Sequence, residues 1–137
     1  MAIVPVNPIV LKDCVVTFAA DDYAAALSQA VFTPSASIQT FKGLKAGAVF
    51  TDVGAATWSL DISFAQDWNE PDSLSVYLFE NEGTTVAATF EPQDGIGDSF
   101  TASVVLTPGA IGGSVDSYAT ATVSLGVVGK PVRVPAV

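Results

Sequence analysis

The chain has 137 residues, which is enough for one domain of ordinary size around one core. Half of them are hydrophobic and 14% are charged, yet Ser, Thr, Gln and Pro34 interrupt even the charge-free run from Tyr23 to Phe41, so no membrane-spanning helix is expected and the chain reads as soluble. Fourteen acidic residues against five basic ones give a net charge of −9, which argues against a protein that grips phosphates; the absence of histidine and the single Cys14 exclude Ser-His and Cys-His nucleophiles, an internal disulfide and a zinc site.

Residues 1–11 carry Pro5 and Pro8, lack the basic residues and long apolar run of a signal peptide, and read as an extended arm awaiting a neighbour. Asp13 to Phe18 is β-prone, with Cys14 as a small apolar residue. Asp21-Asp22 supplies turn chemistry before a second run from Tyr23 to Thr33, so a hairpin is expected, ended by Pro34. Ala24 to Leu27 has helical propensity, but Val31-Phe32-Thr33 and the missing polar face favour strand. Ser35 to Lys42 is extended, and Gly43 to Gly47 marks a loop within a long connection from Lys42 to Val53.

The clearest strand is Thr57 to Phe64, where Trp58, Leu60, Ile62 and Phe64 alternate with polar residues. The period then changes to 3.6: Leu74, Tyr77 and Leu78 recur at helical spacing, Pro71, Asp72 and Ser73 supply start signals and Gly83 a stop, which predicts one helix at about 72–81. Strands resume at Thr84 to Glu91, Ser99 to Thr107 and Ser117 to Val128, and the chain closes in a Pro-punctuated extended tail over 131–137. The expected fold is mainly β: a β-sandwich or small barrel over 12–130 with one flanking helix.

The polar faces of these strands carry Ser and Thr and almost no charge, although free sheets usually place Lys and Glu there against edge-to-edge association. Close pairing with other copies and simple strand compatibility of threonine account for this equally well. Chemistry is sparse. Asp61, Asp67, Glu70 and Asp72 are close enough in sequence for a carboxylate pair, but the last three flank a helix start and oppose its dipole. Asp94 to Asp98 lacks the ligand spacing of a calcium loop, and the glycine pairs follow no phosphate-binding pattern. Trp58 and Trp68 offer stacking faces for a sugar, but their positions favour core and helix-docking roles. No catalytic residue, cofactor or metal ligand is expected, and the chain does not read as an enzyme.

Phe41-Lys42-Gly43-Leu44-Lys45-Ala46-Gly47-Ala48-Val49-Phe50, the strand running from Thr57 into Gln66-Asp67-Trp68, the Tyr77-Leu78-Phe79 helix, Ile111-Gly112-Gly113-Ser114-Val115 and the closing Gly129-Lys130-Pro131 occur in an order that resembles the major tail tube proteins of long flexible-tailed bacteriophages, across residues 12–132. The resemblance implies a structural virion protein of the phage tail, made in the bacterial host cytoplasm. It implies a β-sandwich with a flanking helix, whose strands join a continuous inner barrel in a hexameric ring; rings stack into a tube. The implied partners are other copies, tape-measure protein and transiting DNA in the lumen without sequence-specific binding, and the tail terminator and tail tip proteins. An acidic lumen wall would repel phosphate, and Asp61, the charge in mid-face of the strongest strand, is the lumen candidate. Candidates for contacts between subunits are Ile3, Val4, Pro5 and Val6 in the arm, Lys42, Leu44, Lys45, Val49 and Phe50 in the long connection, and Lys130 and Arg133 near the C-terminus. The alternative is a β-sandwich binding or adhesion module on a virion or cell surface.

Overall fold

A computed structural model of the chain describes residues 1–95 and 97–135. Among the described residues nine strands and one α-helix follow in the order β1 (Val15–Phe18), β2 (Asp21–Asp22), β3 (Leu27–Ser35), β4 (Ile38–Lys42), β5 (Val49–Val53), β6 (Thr57–Ala65), α1 (Leu74–Glu80), β7 (Thr85–Glu91), β8 (Ser99–Val105) and β9 (Thr120–Val134). The chain is mainly β, and every strand pairing is antiparallel. Seven strands form one sheet in the order β2-β1-β7-β8-β9-β6-β3, consistent with a sandwich curled around a core; β4 and β5 form a separate two-stranded hairpin. The order runs from β2 to β3 without joining them.

Alternation in β6 turns Leu60, Ile62 and Phe64 inward, where they meet Val16 and Phe18 of β1, Ala88 of β7, Val104 and Leu106 of and just beyond β8, and Ala121 and Leu125 of β9. Leu74 and Leu78, one turn apart, bring α1 onto the same core. Ser73 is extended and caps the helix, its Oγ accepting from the Val76 amide at 3.4 Å. The turn before it is locked by Asp67, whose Oδ1 accepts from the amides of Asn69 and Glu70 at 3.0 and 3.2 Å. Gly83, at φ +83°, follows the helix in the left-handed region that favours glycine.

Four local expectations are corrected. Asp21-Asp22 is a short strand on β1, and Ala24–Ala26 forms one 3-10 turn, so the run after it does not return along β1 but crosses to pair with β6. Ala-rich propensity thus shows for one turn, until the core claims Leu27 onward. Pro34 does not end that strand: it pairs opposite Trp58 inside β3, tolerated because β3 is an outer strand and a missing N–H costs no bond on its free side. The long connection from Lys42 to Val53 is a loop only at its turn, over 43–48: Val49–Val53 is a strand, β5, paired with β4. The segment from 131, expected as a tail, is extended but continues β9 to Val134, paired with the start of β8 across an irregularity between Thr101 and Ser103.

Candidate assembly interface

The outer face of the sheet is built by the same alternation that fills the core. Ser59, Asp61 and Ser63 of β6 stand between Thr33, Val31 and Gln29 of β3 on one side and Gly126, Ser124 and Thr122 of β9 on the other. Hydroxyl groups satisfy one another across strands: Ser63 Oγ and Thr122 Oγ1 lie 3.0 Å apart, and Thr33 Oγ1 donates to Asp61 Oδ2 at 3.2 Å. Asp61 is therefore half-buried in mid-face, the one charge among these nine residues. Exposed Val31, Val128 and Val132 add apolar area to the same face. At its border β3 carries no charged residue from Leu27 to Ser35, and among the described residues no strand pairs with its outer edge.

The β4–β5 hairpin pairs Ile38 with Val53, Thr40 with Thr51 and Lys42 with Val49 on one face, and Gln39 with Asp52 and Phe41 with Phe50 on the other. The Phe41 and Phe50 rings are 6.4 Å apart and 67% and 65% exposed. Every residue of both strands is exposed, so neither face has a core of its own. Leu44 and Lys45 sit in the connecting turn, where Gly47 takes φ +83° and the Gly43 amide donates to Ala48 O at 2.6 Å. A lone two-stranded hairpin is marginal in water, and an apolar one invites a partner.

The arm has no regular structure and is exposed throughout residues 1–11, including Ile3, Val4, Pro5 and Val6. Its Ile9 and Leu11 line a groove of about 560 Å³ with Phe32, Trp58, Phe90, Phe100, Lys130, Pro131 and Arg133. The structure thus gathers the arm and the Lys130 to Arg133 segment around one apolar mouth, and Arg133 Nε donates to Asp98 there. Trp58 lies half-buried in this mouth rather than inside the core, because it faces inward one residue from the strand end.

Sequence reasoning missed a second apolar patch. Trp68, expected against the helix, does meet Phe79 edge to face, with centroids 6.1 Å apart, but the two rings stay 43% and 54% exposed. Gln66 holds this corner. Its Nε2 donates to the carbonyls of Gly112 and Thr120 at 2.9 Å each, and its Oε1 accepts from the Gly112 amide at 2.9 Å and Trp68 Nε1 at 3.3 Å. Gly109 packs closely here: a Cβ on it would lie 3.0 Å from Phe64 Cζ.

Charge is unevenly placed. Asp67, Glu70 and Asp72 precede α1, Glu80 ends it and Glu82 follows it, while Asp21 shares a depression with Asp72, Glu80 and the stacked Tyr23 and Tyr77 rings. No cation occurs anywhere between Lys45 and Lys130. Burial first, then the nearby Asp21, Tyr77 and Asp72, raises the Tyr23 phenol above its ordinary pKa. Among the described residues no group of three or more Cys, Asp or Glu is disposed to hold a metal, and no helix is long and apolar enough to cross a membrane. The chain matches no protein-family model and no curated protein sequence.

Proposed function

We propose that the chain is the repeating subunit of a phage tail tube, a structural virion protein rather than an enzyme. The observation that carries this reading is the nearly uncharged, hydroxyl-bearing outer face of the sheet, bordered by the uncharged free edge of β3. An edge of this kind is an aggregation hazard on a free monomer but a joint in a closed assembly, where strands of neighbouring copies continue the ladder. In this reading six copies form a ring, their strands make one inner barrel, and the hydroxyl face becomes the lumen wall. The acidic lumen then narrows to a ring of Asp61 carboxylates set among short neutral side chains. Such a wall repels phosphate without binding it, as passage of DNA and tape-measure protein requires. The terminator and tip proteins of the tail would cap the two ends of the stack.

Electron microscopy of the purified protein, together with light scattering, tests the proposal: six-fold rings or tubes are expected. A stable monomer at high concentration would instead favour a binding or adhesion module, for which the groove beside Phe32, Trp58, Phe90 and Phe100 is the available ligand site. Removing residues 1–10 should leave a folded subunit, by circular dichroism, that no longer builds tubes; normal tubes from the truncated chain would remove the arm from the interface.

A further inference from the structure

We propose that the depression between β2 and α1 is a binding site for a short alkyl diamine, its two ammonium groups held by Asp21, Asp72 and Glu80 and its carbon chain laid against Tyr23 and Tyr77. The depression has a volume of about 170 Å³, and its polar lining is an array of acceptors. Three carboxylates border it, and Asn81, whose Nδ2 donates to Tyr77 O at 2.9 Å, has its Oδ1 left to accept. Among the described residues no cation pairs with any of the three carboxylates.

Tyr23 supplies an observation separate from that charge. The residue is only 9% exposed, yet among the described residues its hydroxyl has no hydrogen-bond partner, and it borders the depression close to Asp21 and Asp72. A phenol so enclosed ordinarily finds a partner, and beside two carboxylates that partner is a cationic N–H donor. Glu80 adds to the demand for a cation: it ends α1 with no basic residue in the last turn, so its charge stands at the negative end of the helix dipole. An extended cation fits better than a single ion. Asp72 precedes α1 and Glu80 ends it, and the helix between them is about 9 Å long at 1.5 Å per residue. Among the described residues no group of three or more carboxylates is disposed around one metal ion. Ammonium groups are donors only, which matches the acceptors, and aromatic rings take both cations and apolar carbon against them. The site does not depend on the tube reading.

Isothermal titration calorimetry of the full chain with 1,4-diaminobutane at constant ionic strength tests the site whether the protein is monomeric or assembled. Saturable binding of one equivalent per chain is expected, with 1-aminobutane about tenfold weaker because it meets only one end of the acidic row. Tyr23→Phe keeps the ring and removes the hydroxyl, and should weaken binding about threefold to tenfold. Asp72→Asn combined with Glu80→Gln should weaken it about tenfold or more, with an unchanged circular dichroism spectrum. No saturable heat, a diamine no better than 1-aminobutane, or Tyr23→Phe binding as tightly as the parent would overturn the site. Mg2+ competing with the diamine at equal concentration would overturn it in favour of a metal site.

Discussion

Strand β6 and the β4–β5 hairpin are made of similar residues and have opposite fates. Both are rich in β-branched and aromatic side chains, and both pair antiparallel, β6 with one irregularity opposite Leu27 to Gln29 of β3. In β6 alternation delivers Leu60, Ile62 and Phe64 to a core that six other elements complete. In the hairpin the same chemistry leaves Phe41, Phe50, Ile38 and Val53 in water. Backbone pairing makes a strand; only a second apolar layer makes it stable, and among the described residues nothing buries the hairpin's apolar side chains.

The largest expected effect sharpens that contrast. Leu60→Ala, which opens a cavity in the core, should cost about 2–5 kcal/mol in denaturant unfolding, whereas Phe50→Ser should cost less than about 1 kcal/mol, as a change at an exposed site, and act instead on self-association measured by light scattering. A comparable loss of stability from Phe50→Ser would mean that the hairpin is covered within one subunit.

Replacing Gln66 by Ala should cost about 1–3 kcal/mol, because several hydrogen bonds at one corner are lost together. Hydrogen exchange should quicken in residues 108–119 while β6 stays protected, since Gln66 ties that loop down without belonging to the core. Asp61→Lys should change stability by less than about 1 kcal/mol, as only the Thr33 hydroxyl loses its partner. Under the tube reading it should slow DNA ejection and lower infectivity; unchanged ejection would take Asp61 out of the lumen.

The smallest effect concerns pH. The folded state holds the Tyr23 phenol above its ordinary pKa of 10.0, so its contribution to stability is complete below that value and is lost as pH rises through the raised one. Tyr23→Phe should flatten this part of the alkaline unfolding profile without altering the neutral one.

Several features were legible because they depend on local pattern. Period-two alternation marks β6 and the inward rows of β8 and β9, and a change to period 3.6 between Ser73 and Gly83 marks the helix to within two residues at its start and one at its end. The Ser and Thr face followed from the same alternation. Pro34 misled because its effect depends on which side of a strand is free, and β5 was hidden behind Gly43, Lys45 and Gly47, which describe the turn before it and not the strand.

The order of side chains along this chain by itself determined that it is mainly β, where its helix lies, and which residues of each strand share a face, since these follow from covalent geometry and the difference between apolar and polar groups. Tertiary structure alone decided that β3 crosses to β6 and stands at an edge, that Gln66 binds a loop more than forty residues away, and that Phe41, Phe50, Trp68 and Phe79 remain uncovered. Those outcomes depend on which distant strands compete for one small core, and no local period records which apolar residues the core has no room to hold.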